Sequence, residues 1–455
     1  MATIEKFDKC LILNEPFMED NSIDSFQYQD HTPQNQGIND KSDIIIEVNS
    51  TNSYILPSES KIIIQGQLRK SNATHDAYVN ADEIAFINNA MMFLFKEISY
   101  SIEDVEIERI KNPGQITSML GYANYPDDFS TSSGLSMCWS KDTTKYANSS
   151  KYAASAAAPA ANYTPSENPE YNQGFAARKS FLMSSDPKGC FEFIIPFSHV
   201  FGFSEYKKVI WGLKHTLRLT PFSDDNLAIY RKNTVDAGEV HFTRIIWSIP
   251  NIVIEPSMKT SVNSLIVNNQ ITPATFRART SFSKSVPEGD APFQWSLSLP
   301  VATDKPRWVF VGFQTDKCRT QEQNPALFDH MSTSNHYIEL NAVKYPTFDI
   351  ITNFANNRFS KAYNSFCSYK NEYHGYDDLV GGTQVNFPAF RDLFTIFVFN
   401  VSRQDEKIKQ GVITMNLTFK FDQAVLQNTM AYALVLSDRK NKIGSDGRIL
   451  SLVSH

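Results

Sequence analysis

Two stretches of the chain alternate apolar and polar side chains at every second position. In residues 61–70, Ile62, Ile64 and Leu68 fall on one face while Gln and Arg side chains fall on the other. In residues 413–421 the apolar face carries Ile, Met, Leu, Phe and Phe, and the other carries Thr, Asn, Thr and Lys. Because successive side chains of a strand point to opposite faces, both stretches are predicted to be half-buried β-strands.

Aromatic and β-branched residues, which favour strands, mark further strands along the chain. The stretches predicted to be strands are DIIIEVN, SYSIEDVEIERI, CFEFIIPF, VIWGLKHTLRLTPF, VHFTRIIWSIPNIVIEP, FRARTSFS, FQWSLSLP, RWVFVGFQ, YIELNAV, RDLFTIFVFNVS and MAYALVLS. No regular alternation with helices interrupts them, which argues against Rossmann and barrel enzymes and favours antiparallel sandwiches.

Two short helices are predicted among these strands. Ile84, Ile87, Met91 and Phe95 recur at steps of three and four residues, which is the spacing of a short amphipathic helix plugging the end of a β core. A second short helix is predicted at NPALFDHM, residues 324–331.

Residues 112–188 differ in composition from the rest of the chain. Small and polar residues dominate, and Pro159, Pro165 and Pro169 interrupt any regular element. We expect one long inserted loop on the outer surface, since loops of this length are usually functional or mobile. Residues 143–175 are expected at its outer tip and are expected to tolerate deletion.

The distribution of these elements predicts three regions. Residues 1–40 are polar and acidic and are predicted to be an N-terminal arm, either a frayed tail or a segment that orders in an assembly. Residues 41–258 and 259–455 form two halves, divided in a polar connector near residues 255–272. Both halves share one order: a strand pair, a short helix, a long loop and further strands.

Composition excludes several classes of protein. The net charge is −6 and no long Lys/Arg run exists, so we expect no strong nucleic-acid binding. Five scattered cysteines without a Cys-x-x-Cys predict neither a zinc site nor a disulfide framework, which favours a reducing compartment. The N-terminus is not a secretory signal, and no window approaches the ~20 apolar residues of a membrane-spanning helix.

Signatures of catalysis and metal binding are weak. G-x-S-x-G, P-loop and H-E-x-x-H motifs are absent from the sequence, and a turn explains Gly381-Gly382 better than a phosphate cradle. His330 and His336 are six residues apart, which fits no usual ligand spacing. The adjacent acidic pairs favour solvated turns over calcium or glycosidase sites; they are Asp127-Asp128, Asp224-Asp225 and Asp377-Asp378. We therefore predict no catalytic, cofactor-binding or metal residue and no enzyme activity.

Several stretches resemble the double jelly-roll major capsid proteins, most closely those of Polinton/Maverick elements and adintovirus-like viruses. In the first half these are YILPSESKIIIQGQLRK and ADEIAFINNAMMFLFKEISYSIEDVEIE, with an Asn88-Asn89 pair before Leu94-Phe95. In the second half they are PRWVFVGFQTDK, NPALFDH, YIELNAVKYP, FNVSRQDEKIKQGVITMNLTF and MAYALVLSDRK with SDGR. These are fold and packing motifs.

The resemblance implies an all-β protein of two tandem eight-stranded antiparallel jelly rolls with short helices and long inserted loops. It further implies pseudo-hexagonal homotrimers that tile an icosahedral shell around double-stranded DNA, with penton and minor capsid proteins as other partners. Such a protein is a component of the virion, made in the host cytoplasm or nucleus and not secreted. Whether a membrane lies beneath the shell stays open.

Two other functions remain open from the residues alone. A minor capsid or spike protein is also a β-sandwich, although one jelly roll per subunit usually suffices for it. A carbohydrate-binding β protein would use aromatic platforms, but the five Trp residues are spread along the chain.

Overall fold

The computed structural model describes residues 22–34, 37–49, 53–153, 166–268, 273–376, 382–404, 413–443 and 449–451. The first half contains strands β1 Ile23–His31, β2 Ile44–Asn49, β3 Tyr54–Ile55, β4 Lys61–Lys70, β5 Ile84–Phe86, β6 Phe95–Ile102, β7 Val105–Lys111, β8 Cys190–Pro196, β9 Ile210–Trp211, β10 Lys214–Pro221, β11 Ile229–Arg231 and β12 Gly238–Ile254. The second half contains β13 Ala274–Ser285, β14 Phe293–Ser298, β15 Lys305–Thr315, β16 Thr333–Leu340, β17 Val343–Ile351, β18 Ile396–Asn400, β19 Thr414–Phe421, β20 Thr429–Ile443 and β21 Ile449–Ser451.

Short helices connect these strands. They are α1 Ala90–Phe93, α2 Pro113–Asn124, α3 Gln173–Met183, α4 Phe197–Val200, α5 Pro256–Val267, α6 Ser360–His374 and α7 Phe387–Asp392. Helix α5 joins the last strand of the first half to the first strand of the second.

Both halves have the same sheet topology. In the first half one sheet runs β1–β12–β4–β8, extended beside β12 by β3 and β9, and the other runs β2–β10–β6–β7. In the second half the sheets run β13–β20–β15–β18 and β14–β19–β16–β17. The eight principal strands of the first half are β1, β2, β4, β6, β7, β8, β10 and β12. Ranked along the chain within each half, they give the orders 1-8-3-6 and 2-7-4-5 in both halves, all antiparallel. Each half is therefore an eight-stranded jelly roll, and the predicted fold class is confirmed.

The period-two patterns of the sequence are borne out by burial. Ile62, Ile64 and Leu68 of β4 are fully buried, while their neighbours are half-exposed. On β19 Met415, Leu417 and Phe419 are fully buried, but Thr418 of the polar face is buried as well, and Phe421 is half-buried at the strand end. Most buried apolar side chains of both halves belong to one continuous cluster, so the two jelly rolls share a core.

Both predicted helices are wrong in extent or type. Residues 84–95 form strand β5, the four-residue helix α1 and the start of β6, because every side chain from Ile84 to Phe95 is buried and no polar face remains. Residues 324–331 form a turn with isolated bridges at Phe328 and Asp329. Helix α5 lies in the segment predicted to be a polar connector, and neither α5 nor α6 is among the predicted helices.

The predicted arm and the predicted loop also need correction. Residues 23–31 are strand β1 of the first jelly roll, paired with β12, so the predicted arm of residues 1–40 is wrong for this segment. Residues 1–21 lie outside the described residues. Residues 112–188 are inserted between β7 and β8 but are not one loop, because they contain α2 and α3. Eleven of the twelve residues of α2 are buried, so this part packs inside the molecule.

Candidate functional site, the seam and the free edges

The histidines considered for a metal site are packing residues. The His336 ring lies among Phe397, Phe399 and Phe419, with its centroid 4.6 Å from that of Phe397. Burial lowers the pKa of His336 to about 3. The His330 ring stacks on Phe354, and its Nδ1 accepts the backbone N–H of Ser332. In the described part of the chain, no group of three or more His, Cys, Asp or Glu side chains could hold a metal ion.

The two described acidic pairs have different environments. Asp225 is buried, forms an ion pair with Lys41 at 2.6 Å and accepts the backbone N–H of Val240 at 2.9 Å. Asp127 is exposed and lies 3.4 Å from the Lys141 amine. Asp377-Asp378 and Gly381 lie outside the described residues. The one buried carboxylate of these four described residues, Asp225, is therefore held by partners within the fold.

The two jelly rolls meet along a seam, defined here as the contact of β7 with β13. Glu108 of β7 is 2% exposed. Its Oε1 accepts the backbone N–H of Arg279 on β13 at 2.8 Å, and its Oε2 accepts that of Phe203 at 2.7 Å. The Lys111 backbone N–H donates to the Ser281 hydroxyl at 2.7 Å. These bonds satisfy polar groups that would otherwise be buried without partners.

A second carboxylate completes the covering of β13. Glu205, in the 3₁₀ turn Gly202–Glu205, accepts the backbone N–H of Arg277 at 2.9 Å. Arg277 and Arg279 are alternate residues of an edge strand whose other side pairs with β20. The open side of β13 is thus closed by carboxylates of the first jelly roll instead of by a strand, which protects it from pairing with another chain.

A buried ion pair backs the seam. The Arg439 guanidinium binds both oxygens of Asp304 at 2.6–3.2 Å and donates to the backbone carbonyl of Ile107 at 2.6 Å. Burial raises the pKa of Glu108, while the backbone donor of Arg279 and the charges of Arg279 and Arg439 act in the opposite direction. The sequence does not distinguish Glu108 from Glu106, because the two lie two residues apart on the same strand, yet Glu106 is exposed.

The insertion between β7 and β8 binds the two halves together a second time. The ring of Tyr122 on α2 packs tilted against the ring of Phe394, with their centroids 4.4 Å apart. The Tyr122 hydroxyl donates to the backbone carbonyl of Ala326. Asp142 forms a buried ion pair with Arg178 at 2.6 Å. The other oxygen of the Asp142 carboxylate accepts a hydrogen bond from the side-chain amide of Asn324, in the second half, at 3.0 Å. The segment predicted to be an outer loop thus forms part of the joint between the jelly rolls.

His199 lies where the insertion and the seam meet. Its Nε2 bonds the Asn89 Oδ1 at 3.0 Å and its Nδ1 bonds the Tyr125 hydroxyl at 2.7 Å. Because the amide oxygen only accepts, Nε2 carries the proton and Nδ1 accepts from Tyr125. Arg279 donates to the backbone carbonyl of His199 at 2.7 Å. Burial first, and the charge of Arg279 second, lower the pKa of His199 to about 3, so the ring is neutral.

Two strands at the outer edges of the sheets expose large apolar side chains. No residue of β1 is buried, and Ile23, Phe26 and Tyr28 are 42–49% exposed. At the edge of the second half, β17 exposes Val343, Phe348 and Ile351, the last at 72%. The described residues give β1 one partner, β12, and β17 one partner, β16. Unpaired apolar edges of this kind are typical of surfaces that meet another chain.

Further apolar exposure surrounds the N-terminal end of β1. None of the twelve residues of α5 is buried, although Val262 and Ile266 pack on the small cluster of Tyr54, Leu56 and Ile252. Val253 on β12 is 50% exposed beside β1. No helix among the described residues is both long enough and apolar enough to cross a membrane.

Comparison with known proteins agrees with this architecture. No curated protein matches the sequence. A cryo-electron-microscopy structure of the Sputnik virophage matches with a TM-score of 0.58 and 11% identity, over 100% of this chain and 93% of that chain. The Faustovirus major capsid protein matches with a TM-score of 0.53 and 8% identity, over 98% of this chain and 93% of that chain. At these identities the likeness concerns the fold.

A family model supplies the assignment. The model of the double jelly-roll-like domain matches residues 160–440, which is more than half of the chain and reaches from the insertion to β20. The repeated strand order and the family match agree, and the chain belongs to the double jelly-roll-like domain family.

Proposed function

We propose that this chain is a major capsid protein, a structural protein and not an enzyme, that forms pseudo-hexagonal homotrimers. The trimers tile an icosahedral shell around double-stranded DNA. The proposal rests above all on one observation: two jelly rolls with identical strand order lie side by side in one chain. Three such chains bring six similar units together, which is the composition of a six-sided building block.

The shared fold supports the capsid role. The Faustovirus structure is that of a major capsid protein, and a further match, with a TM-score of 0.54 and 10% identity, is PBCV-1 VP54 fitted into a reconstruction of the virophage Sputnik. These matches span 93–100% of the related chains.

The surface of the chain fits a subunit that is surrounded by copies of itself. Obligate subunits bury about 2,000–5,000 Å² or more per interface, mostly apolar. Exposed large apolar side chains occur on both sheet edges, on β1 and on β17. Within a cyclic trimer they would be covered, and closed symmetry would prevent further growth through the same contacts.

The proposal extends to partners and lineage. Penton and minor capsid proteins would fill the vertices and the gaps between trimers. A net charge of −6 without a basic run leaves the genome to weak contacts or to another protein. The sequence motifs favour a Polinton/Maverick or adintovirus-like element, and the protein would be made in the host cytoplasm or nucleus.

The alternatives are less well supported. A spike or minor capsid protein needs a single jelly roll and would leave the second half without a purpose. A carbohydrate-binding protein would need an aromatic platform on the surface, and in the described residues Trp139, Trp247, Trp295 and Trp308 are buried in the core.

Electron microscopy and sedimentation of the purified full-length chain test the proposal. We expect trimers with a hexagonal outline, or closed particles. A monodisperse monomer at micromolar concentration would contradict it, and so would elongated spikes.

A further inference from the structure

We infer that the seam inside one chain is repeated between chains: β17 of one copy packs against β1 of the next. The inference rests on the proposed trimer and names the surfaces that close it. It is a heterologous contact with a second copy of this chain, in which two different surfaces of each subunit meet.

The internal repeat supplies the first argument. In the chain, the fifth principal strand of the first jelly roll, β7, packs against the first strand of the second, β13. In the same ranking β17 is the fifth strand of the second jelly roll, and β1 is the first strand of the first. If the step from one jelly roll to the next is repeated around a ring, β17 must meet β1 of the following copy.

The hairpins that carry β7 and β17 close with the same kind of turn, although the register shift in β17 is larger than that in β7. Each closes with a two-residue turn in the left-handed region: Glu103 and Asp104 have φ 48° and 62°, and Asn341 and Ala342 have φ 46° and 68°. These are the conformations of a type I′ turn, which matches the twist of the flanking strands. The two hairpins therefore present their second strands to the outside in the same way.

The position of Ile351 follows from this equivalence. Lys111 comes directly after Ile110, which pairs with Ile98, four residues before the end of its strand. Ile351 comes directly after Ile350, which pairs with His336, also four residues before the end of its strand.

Ile351 and Lys111 thus occupy the same place in the two halves. The Lys111 backbone binds Ser281 of β13 across the seam, whereas Ile351 is 72% exposed. In the assembled ring Ile351 would lie at the contact with β1 of the neighbouring copy.

The two surfaces also match in chemistry. Both expose large apolar side chains, as described above. Strand β1 itself carries Asp24 and Asp30 and no Lys or Arg, and one Lys of the neighbouring β4, Lys61, lies over its Tyr28 ring. Around β17, Lys344, Lys361 and Lys420 outnumber Asp349: Lys361 lies over the Phe348 ring, and Lys420 lies near Asp349. An acidic edge against a basic one favours the heterologous contact and disfavours β1 meeting β1.

Single substitutions on each edge test the inference. Phe26→Lys on β1 and Ile351→Lys on β17 should each raise the dissociation constant of the trimer at least about 30-fold, as loss of an interface hot spot does. Val79→Lys and Leu426→Lys are matched controls, because these side chains are 56% and 65% exposed and lie on neither edge. The controls should remain trimeric in sedimentation velocity runs.

Mixing the two edge variants gives the sharpest readout. Each retains one intact surface, so a 1:1 mixture should form heterodimers that cannot close into a ring. Trimeric wild type together with trimeric edge variants would overturn the inference alone, whereas a monomeric wild type would overturn the proposed function as well. Amide hydrogen exchange of the wild type covers the case of a misfolded variant. Exchange in β1 and β17 must rise on dilution to monomer, and unchanged exchange in both strands would contradict the contact.

Discussion

The Glu108 carboxylate accepts the backbone N–H of Arg279 at 2.8 Å, across the boundary between the two jelly rolls. Glu108 is fully enclosed, and its second oxygen accepts the N–H of Phe203. A single side chain thus satisfies the backbone of both halves at their junction. It fixes the angle between them more strictly than apolar packing alone, because hydrogen bonds depend on direction.

Replacing Glu108 should therefore lower the free energy of unfolding by more than the lost side-chain volume alone would. Glu108→Ala leaves two buried N–H groups without acceptors and removes a negative charge near Arg279 and Arg439. We expect the free energy of unfolding to fall by about 3–5 kcal/mol. Urea unfolding followed by circular dichroism measures this. Glu106→Ala, on the exposed side of the same strand, serves as the control and should change stability by less than about 1 kcal/mol.

Part of the insertion should be removable. The Ala153 backbone N–H donates to the carbonyl of Ser166 at 3.0 Å, so these two residues lie side by side. Replacing residues 154–165 by an Asn-Gly turn should leave the free energy of unfolding within about 1 kcal/mol and the trimer intact. Loss of the trimer would show that this segment takes part in assembly.

The wider deletion of residues 143–175, which the sequence favoured, should fail. Asn172 is buried, and its amide binds the Asp142 carboxylate and the carbonyls of Thr144 and Tyr146. Phe175 is fully buried beside it. The deletion would open a cavity and leave the Arg178–Asp142 pair less supported, so we expect insoluble protein on expression. Soluble, trimeric protein would contradict this account.

Acid should destabilise the fold through its buried histidines. Burial lowers the pKa of His199, His215 and His336 from 6.5 to about 3. Below pH 6.5 the unfolded chain binds protons that the folded chain does not bind. Stability therefore falls as the pH drops from about 6.5 towards 3, by roughly 2 kcal/mol per ring at pH 5.

A variant with one titrating ring fewer checks this. His336→Leu removes a ring whose Nδ1 has no partner and whose neighbours are phenylalanines. The unfolding free energy should depend less steeply on pH between 7.5 and 5, because unfolding of the variant takes up as much as one proton fewer. An equal slope in His336→Leu and wild type would refute the assignment.

Helix α2 should tolerate no added methyl group at Gly121. A Cβ at this position would collide with the indole ring of Trp139. The ring is fully buried, so it cannot move without displacing Tyr122 and Tyr125, which contact it. We expect Gly121→Ala to lower the free energy of unfolding by about 1–3 kcal/mol, measured by urea unfolding. Gly382→Ala, whose added Cβ meets no atom of the described residues within 4 Å, should be neutral.

The sequence by itself determined the strands and their buried faces. The alternation in β4 and β19 identifies the core side chains, because one face of a sheet in a sandwich is apolar and the period of a strand is fixed at two. Recognisable motifs around these strands also pointed to the double jelly roll. The sequence also lacks catalytic motifs, which favours a structural role over an enzymatic one.

Tertiary structure alone decided the rest. The sequence of β1 predicts a polar arm, because none of its side chains is buried within one chain. Its pairing with β12 makes this segment a strand. Helix α2 lies in a segment of small residues, and it is buried against Trp139 and the second half, which no periodic pattern in the sequence indicates. Glu108 acts as an acceptor between the two halves only because folding brings β13 beside it. Such long-range contacts leave no periodic pattern in a sequence.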